Sequence, residues 1–416
     1  MRDRTTQVLA GVVALAAALR LATLDAQSYW SDEAVTVLLL KGSLGDLLRA
    51  IPDSESTPPL YYVLAWLWSK AFGTGEVGLR SLSALAGTLT VVAAFAAGRR
   101  LVSDRAGLVA AALVATNPLL WWYSQEARSY ALLVLFATAS LAFFARARLG
   151  DRRALAGWAI ASALALATHY FAVFIVAAEA LWLLWRVRPR SWAAGAVALP
   201  ALAGAALLPL ALEQRSHEGA AFISSSGLGF RLAQVPKQFL IAYDAPAEVA
   251  LTALAAVLAG GGVALLAFRA SVRERRGAAV AATIGGFALA VPVALAVTGV
   301  DYVLTRNLIA ALVQLLVAGA AGFGAAAARR LGPALATALC ALGTLLCVWV
   351  AAEPGFHRQD WRGAARALGP AEVDRLVVAT PVNGAEPLLV YLPGSRVIRY
   401  DEVLPVREVD YLGLVR

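Results

Sequence analysis

Residues 334–352 read ALATALCALGTLLCVWVAA, and residues 251–268 read LTALAAVLAGGGVALLAF. Neither run contains a charged residue, and a helix of about 20 apolar residues spans a bilayer core of about 30 Å. Across the 416 residues, 60% are hydrophobic, which is more than a water-soluble core of this size can bury. The sequence therefore predicts an α-helical polytopic membrane protein that is surrounded by membrane lipids.

Basic residues punctuate the apolar runs. Short connectors rich in Arg mark the cytoplasmic side of a membrane protein, so we expect these connectors to be cytoplasmic. They also account for the net charge of +9 without a basic soluble face, and we expect no nucleic-acid binding. The connector residues are Arg99, Arg100, Arg105, Arg146, Arg148, Arg152, Arg153, Arg186, Arg188, Arg190, Arg269, Arg273, Arg275, Arg276, Arg329 and Arg330.

This placement predicts about eleven spans with the N-terminus inside. Segment 58–73 is interpreted as a membrane-dipping or juxtamembrane helix, because a crossing there would move the connector at 99–105 outside. A cleaved signal peptide is the competing interpretation of residues 1–24, which lack a convincing cleavage site. The predicted spans are 8–24, 81–98, 106–122, 129–145, 154–168, 170–185, 191–211, 248–268, 278–299, 303–325 and 334–352.

The topology divides the chain into a transmembrane domain, residues 1–352, and a tail, residues 353–416. The domain includes a first outer loop at 25–80, and the tail lies outside the cytoplasm. Short apolar runs in the tail alternate with turn residues, which predicts a small extracytoplasmic α/β domain. The runs are 376–379, 388–392, 397–398 and 411–415, and the turns include Asn383-Gly384 and Pro393-Gly394.

Two adjacent acids, Asp32 and Glu33, follow Tyr29-Trp30-Ser31 directly after the first span. One interpretation is helix capping, in which Ser31 or Asp32 opens a helix and the acids favour its dipole. Capping explains one acid better than two. The other interpretation is a catalytic carboxylate, because a general base must be held where water meets the site.

A further candidate acid is Glu55, shortly before Pro58-Pro59 and Tyr61. The two prolines predict a rigid, extended entry into an aromatic-rich helix. A helix start explains these residues without any function. A functional role requires this loop to lie beside Asp32.

Further polar residues fall at the same predicted level. Glu126, Arg128 and Tyr130 follow Trp121-Trp122-Tyr123, which is typical of an interfacial aromatic belt. A guanidinium at this depth could bind a phosphate, and a salt bridge between Glu126 and Arg128 is the alternative.

His169, Tyr170 and Arg306 complete the set. His169 is open to three interpretations: a metal ligand, a phosphate contact or a hydrogen-bonded interfacial residue. All these groups lie on one side of the charge-derived topology. Carboxylates for proton abstraction together with arginines for an anion suit transfer from a phosphate leaving group.

At these residues the sequence resembles the bacterial relatives of protein O-mannosyltransferases and of lipid A aminoarabinose transferases, within the GT-C class and similar to glycosyltransferase family 39. The resemblance runs along nearly the whole chain, and the order of its motifs carries more weight than any single one. The motifs are Trp30-Ser31-Asp32-Glu33, Pro58-Pro59-Leu60-Tyr61-Tyr62, Phe72-Gly73 with Glu76 and Leu79-Arg80, Tyr123-Ser124-Gln125-Glu126-Ala127-Arg128-Ser129-Tyr130, and Asp360-Trp361-Arg362.

The resemblance implies that Asp32 is the catalytic base, with Glu33 beside it. It also implies a polyprenyl-phosphate sugar donor, with Arg128 and Arg306 as phosphate contacts, and inversion at the anomeric carbon. Some relatives carry Lys or His where this chain has Thr57, which leaves a phosphate or metal contact from that position in doubt. Because metal use differs within the class, a divalent metal stays open and no cofactor is assigned.

The implied enzyme transfers a hexose or pentose to a hydroxyl of a protein, lipid or polysaccharide on the outer face of a bacterial plasma membrane. The family suggests mannose, although no residue selects it. Two alternatives remain. A lipid or glycan transporter or flippase would carry charges deep in several spans and broken helices near the midplane. A glycan ligase would use a lipid diphosphate donor and a larger outer cavity.

Overall fold

The computed structural model describes residues 2–216, 221–370, 375–379, 384–396 and 408–410. Within these ranges the chain forms 18 α-helices, three 3₁₀ helices (Ala221–Ser225, Ala326–Ala328 and Pro354–Phe356) and two parallel strands, β1 (Arg375–Val377) and β2 (Glu408–Asp410). The α-helices are α1 (Arg2–Leu21), α2 (Ser31–Leu40), α3 (Leu44–Ser54), α4 (Leu60–Phe72), α5 (Glu76–Leu101), α6 (Asp104–Thr116), α7 (Pro118–Ser124), α8 (Tyr130–Ala147), α9 (Arg152–Thr168), α10 (Ala172–Arg186), α11 (Arg190–Ser216), α12 (Leu228–Ile241), α13 (Glu248–Phe268), α14 (Val272–Val297), α15 (Ile309–Phe323), α16 (Leu331–Ala352), α17 (Trp361–Leu368) and α18 (Ala385–Tyr391).

The helical multi-pass architecture predicted from the sequence is confirmed. Each of the eleven predicted spans is largely helical. By length and composition, seven helices of the described chain can cross a membrane, namely α1, α5, α8, α11, α13, α14 and α16, and the bent pair α6–α7 makes an eighth. Helices α9, α10 and α15 have only 15 to 17 residues.

Two predicted spans differ from the structure. The segment 106–122 is not one straight helix, because the chain bends by 60° between α6 and α7. The segment 303–325 becomes helical only at Ile309. Asp301 accepts a hydrogen bond from the backbone N–H of Val303 at 3.1 Å, which holds the preceding residues in a turn.

Close helix packing rests on small residues. Helix α5 packs against α1, α6 and α8, and α14 packs against α15. A Cβ added to Gly98 of α5 would lie 3.0 Å from the Cα of Gly107 in α6, so the two backbones touch there. Contacts of this kind replace the hydrophobic driving force, which is weak between helices in lipid.

The bend between α6 and α7 is stabilised by Arg20, a side chain of α1 with no exposed surface. Pro118 has no N–H to donate to the carbonyl of Val114. The bend also leaves the carbonyl of Ala115 without its helical hydrogen-bond partner. The Arg20 guanidinium donates to both carbonyls, at 3.1 and 2.8 Å, and its Nε donates to the hydroxyl of Ser124 at 3.1 Å. The first helix thus fixes the direction in which α7 leaves the bundle.

We expect Arg20→Met to destabilise the protein strongly. The variant fills similar volume but leaves two buried carbonyls unpaired, at a cost of about 1–3 kcal/mol for each. Thermal unfolding in detergent measures the loss, with Arg4→Met on the exposed surface of the same helix as the matched control. Equal melting temperatures for the two variants would contradict the capping role.

The tail packs on the first outer loop. The hydroxyl of Ser28 donates to the carbonyl of Gln359 at 3.0 Å and accepts from the N–H of Trp361 at 3.0 Å. Glu76 accepts from Arg362 at 3.3 Å and from the hydroxyl of Tyr391 at 2.7 Å. These contacts hold the described part of the tail against the segment that precedes α2 and against the start of α5.

The described part of the tail contains both helices and strands. The run 388–392 is mostly helical, within α18, whereas 376–377 belongs to β1. Asn383 and the runs 397–398 and 411–415 lie outside the described residues. Division into a membrane domain and a separate tail domain stays a prediction.

Candidate active site

Asp32 lies in the first turn of α2 and is half-buried. Its Oδ2 accepts a hydrogen bond from Nη1 of Arg306 at 3.1 Å. Its backbone carbonyl accepts from Nη1 of Arg128 at 3.1 Å. Ser31 begins α2 and both acids lie in its first turn, where they favour the helix dipole, as the capping interpretation expects. The side-chain cap itself is absent, because Trp30 is the N-cap residue and no side chain accepts from the first turn.

Glu33 has a different environment from its neighbour. Both of its oxygens are held by Arg80 of α5, at 2.7 and 2.6 Å, and Oε1 also accepts from the N–H of Ala127 at 2.8 Å. The two side chains are almost fully buried. Arg80 uses its other donors on the carbonyls of Leu24, Gln27 and Ser28. This network ties the start of α2 to α5 and to the turn before α8.

Arg128 pairs with Glu55 through two hydrogen bonds, at 2.7 and 2.9 Å. The loop before Pro58 therefore lies beside Asp32, as a functional role for Glu55 requires. Tyr62 lies beneath the guanidinium, and the buried ring of Tyr61 packs edge-on against that of Tyr62. The bidentate pair fixes Arg128 where it reaches the backbone of Asp32.

Glu126 pairs with Arg358 of the tail and not with Arg128, so the predicted local salt bridge is absent. The same carboxylate oxygen, Oε1, accepts from the indole N–H of Trp122 at 3.1 Å. Burial raises the pKa of Glu126, and the Arg358 charge opposes that rise. The second oxygen, Oε2, is buried and has no hydrogen-bond partner among the described residues.

Arg306 is carried by the turn between α14 and α15. Arg231 of α12 holds this turn through an ion pair with Asp301 and a hydrogen bond of 2.6 Å to the carbonyl of Val303. Phe222 faces the Arg306 guanidinium, 5.6 Å from its ring centre. The buried Nε of Arg306 has no partner within the described chain. Arg306 therefore has donor capacity beyond its bond to Asp32.

Aromatic rings line the space beside Arg306. The hydroxyls of Tyr123 and Tyr243 share a hydrogen bond, and the ring of Tyr130 lies 4.7 Å from that of Tyr123. His169 lies 5.6 Å from the Tyr130 ring. Its Nδ1 accepts from the N–H of Phe171 at 3.2 Å, so the neutral ring carries its proton on Nε2.

His169 is neutral at physiological pH. Burial, and then the charges of Arg306 and Arg128, lower its pKa to about 3. Tyr170 faces elsewhere, because its hydroxyl donates to Oε1 of Gln214 at 2.8 Å. Gln214 in turn donates to the carbonyls of Ile51 and Thr57, each at 3.3 Å. This chain of contacts links α11 to the loop that carries Glu55.

In the part of the chain that the structure describes, no group of three or more His, Cys, Asp or Glu side chains is arranged to hold a metal ion. Asp32 and the three acids around it, Glu33, Glu55 and Glu126, are each paired with an arginine. A divalent metal, left open by the sequence, is not assigned to these residues.

Sequence reasoning missed Arg80, Arg231 and Arg358 as members of this cluster. Arg358 lies 232 residues from Glu126 along the chain, and no spacing rule connects them. The signal available for Arg80 was its position in a family motif, and for Arg358 its proximity to the motif at Asp360.

A sequence profile of the family described as dolichyl-phosphate-mannose-protein mannosyltransferase matches residues 56–212. No curated protein sequence matches the chain significantly.

Several solved structures share the fold. ArnT from Cupriavidus metallidurans bound to undecaprenyl phosphate is similar with a TM-score of 0.61 and 14% identity, over 92% of this chain and 84% of that one. Apo ArnT from the same organism has a TM-score of 0.56 and 16% identity, over 79% of this chain and 62% of that one. A third structure is the archaeal oligosaccharyltransferase AglB from Archaeoglobus fulgidus in complex with an inhibitory peptide and a dolichol-phosphate. It has a TM-score of 0.53 and 14% identity, over 88% of this chain and 57% of that one.

The chain therefore spans less than two thirds of two of these three structures. At such identities the likeness concerns the fold, which is that of the GT-C membrane glycosyltransferases.

Proposed function

We propose that this GT-C-fold chain is a glycosyltransferase that moves a sugar from a polyprenyl-phosphate donor to an acceptor hydroxyl, with Asp32 as general base. One observation carries the proposal. Glu33, Glu55 and Glu126 are almost fully buried in ion pairs, whereas Asp32 is the half-exposed acid and is held beside two arginines. A base must reach both solvent and substrate, and among these four acids only Asp32 does.

The reaction is a displacement at the anomeric carbon. Asp32 takes the proton of the acceptor hydroxyl while the oxygen of that hydroxyl forms a bond to the anomeric carbon. The bond from carbon to the phosphate oxygen breaks, and its electron pair leaves on the phosphate. Phosphate leaves as an anion, so no general acid is needed, unlike glycoside hydrolysis. One displacement inverts the configuration.

Arg306 links donor binding to the base. Nη1 of its guanidinium donates to Asp32, whereas its buried Nε has no partner among the described residues. A donor phosphate that recruits Arg306 competes with Asp32 for the same cation, which leaves the carboxylate freer to accept a proton. Arg128 is held by Glu55 and supports the Asp32 backbone, and its buried Nε has no partner among the described residues, so it too has a donor left for a phosphate.

The orientation of the site supports an extracytoplasmic location. Helices α5, α8, α10 and α15 begin at the site end, and the Arg-rich connectors follow their other ends. By the positive-inside rule, the site then faces away from the cytoplasm. We propose a bacterial plasma membrane, and a protein, lipid or polysaccharide acceptor.

Solved relatives support the donor class. ArnT was solved with undecaprenyl phosphate, AglB with a dolichol-phosphate, and the matching family profile is named for dolichyl-phosphate-mannose. Mannose is therefore the first sugar to test. Glu33 was predicted to be catalytic together with Asp32; given its pairing with Arg80, we assign it to positioning instead.

The decisive experiment uses the purified chain in lipid nanodiscs with a panel of radiolabelled polyprenyl-phosphate sugars and a membrane extract as acceptor. We expect the label to move from the lipid to an acceptor in a time-dependent way. The same chain reconstituted in sealed vesicles tests the flippase alternative, which movement of intact labelled lipid across the vesicle membrane, without transfer, would indicate. A second panel of lipid-diphosphate glycans tests the ligase alternative, which transfer from that panel alone would indicate.

We expect Arg306→Gln to weaken undecaprenyl phosphate binding by about 10- to 100-fold, since a hydrogen bond to a charged group contributes about 1.5–3 kcal/mol. Native mass spectrometry of the chain with undecaprenyl phosphate measures the change. Arg215→Gln, an exposed cation at the end of α11, is the matched control and should bind like the wild type. Equal weakening in both variants would show only a loss of net charge.

A further inference from the structure

We infer that Arg358 in the tail is a positioning residue of the active site, where it neutralises Glu126 so that an anionic donor can bind nearby. The inference rests on the proposed function for the identity of the anion. It assigns a role in the site to the tail segment around Arg358, which lies far along the chain from the other members of the cluster.

The first support is the placement of Glu126. Its side chain is 3% exposed, and the only cation paired with it in the described chain is Arg358. Asp32 and Glu33 are close enough to act on Glu126 by charge. Without Arg358, Asp32 and Glu33 would still be paired with Arg306 and Arg80, but Glu126 beside them would have no cation paired with it in the described chain.

The second support is the packing of the guanidinium. It lies 3.9 Å from the ring centre of Trp30 and 4.9 Å from that of Trp122. Trp122 also donates to the Glu126 oxygen that Arg358 contacts. Trp30 is the N-cap residue of α2, two positions before Asp32. Arg358 therefore contacts both the acid it neutralises and the residue that begins the catalytic helix.

The third support is that the tail reaches this position independently of the Arg358 side chain. The backbone N–H of Arg358 donates to Oε1 of Gln27 at 3.1 Å. Ser28 holds Gln359 and Trp361, and Glu76 holds Arg362. A substitution confined to the Arg358 side chain leaves these contacts in place, so its effects report on the guanidinium.

The consequence for the donor is electrostatic. While it is ionised, an unpaired carboxylate in a partly buried site repels a phosphate far more strongly than it would in water. Because burial raises the pKa of Glu126, binding is measured at alkaline pH, where the unpaired side chain keeps its charge. The Arg358 charge removes this repulsion at Glu126. Loss of Arg358 should therefore weaken donor binding, and removal of the Glu126 charge in the same molecule should restore it.

The test is a double-mutant cycle of Arg358→Gln, Glu126→Gln and the combination, read out by undecaprenyl phosphate binding in native mass spectrometry. We expect Arg358→Gln to weaken binding about tenfold or more, and the double variant to recover to within about threefold of the wild type. Arg358→Lys keeps the charge and should retain most of the affinity. An unaffected Arg358→Gln, or a double variant no better than it, would overturn the inference.

Arg362→Gln is the matched control for tail docking, because it breaks a contact with Glu76 and leaves Glu126 untouched. It should bind undecaprenyl phosphate like the wild type. If it weakens binding as much as Arg358→Gln does, docking and not charge is the cause, and the inference fails.

A second readout separates this inference from the proposed function. Thermal unfolding of the same four proteins without ligand should show Arg358→Gln destabilised and the double variant partly restored. A wild type that binds no undecaprenyl phosphate and transfers no sugar overturns the proposed function. Even then, the melting temperatures test the pairing of Arg358 with Glu126. Additive effects of the two substitutions would overturn the pairing, and non-additive effects would support it.

Discussion

Asp32→Asn is expected to abolish sugar transfer while the protein stays folded and inserted. The amide oxygen of Asn can still accept the hydrogen bond from Arg306, so the geometry of the first turn of α2 is kept. The amide cannot take a proton from the acceptor hydroxyl. General-base catalysis contributes about 10²–10⁴-fold, so transfer should fall by at least about a hundredfold. Initial rates of label transfer in nanodiscs measure the loss.

Asp25→Asn is the matched control, since Asp25 is an exposed acid of the same loop. It should transfer sugar at the wild-type rate. Undecaprenyl phosphate binding by Asp32→Asn should be unchanged or tighter, because Arg306 loses its anionic competitor. Wild-type transfer by Asp32→Asn would remove Asp32 from the role of base.

For the neighbouring acid, Glu33, we expect substitution to reduce stability, in contrast to Asp32→Asn, which should stay folded. Glu33→Ala is expected to lower the free energy of unfolding by about 3–5 kcal/mol, because it leaves the buried Arg80 charge without its partner. It also leaves the N–H of Ala127 without its acceptor. Thermal unfolding in detergent and the yield of monodisperse protein measure this loss.

The control for a general effect of lost ion pairs is Asp104→Ala. Asp104 pairs with Arg99, but both side chains are about half-exposed, at 55% and 49%. Exposed pairs contribute about 0–1 kcal/mol, so this variant should stay close to the wild type. A Glu33→Ala protein that melts like the wild type yet transfers no sugar would return Glu33 to catalysis.

These two outcomes concern adjacent residues that the sequence could not distinguish. Asp32 and Glu33 have the same chemistry, and their difference arises from partners that are remote in the chain. Arg80 is 47 residues from Glu33, and Arg306 is 274 residues from Asp32. A helix start was a reasonable interpretation of the local sequence, and both acids do lie in the first turn of α2, although neither caps it.

The membrane fold was more predictable than the site, because apolar length and connector charge act locally. The bend at Pro118 and the late start of α15 were not predicted. Both depend on contacts with other segments, Arg20 in the first case and Arg231 in the second. The tail was predicted to contain helices and strands, but its contact through Arg358 required the folded structure.

Arg20 also imposes an order on biosynthesis. The guanidinium and the carbonyls that it caps are 94 and 95 residues apart in the chain. At about 5–20 residues per second, the ribosome needs on the order of ten seconds to supply α6 after α1 has emerged. During that interval the first helix holds a charge that lipid does not solvate, so α1 should stay near the translocon or the interface until α6 arrives. Truncation of nascent chains before and after residue 118 would show when α1 becomes resistant to extraction.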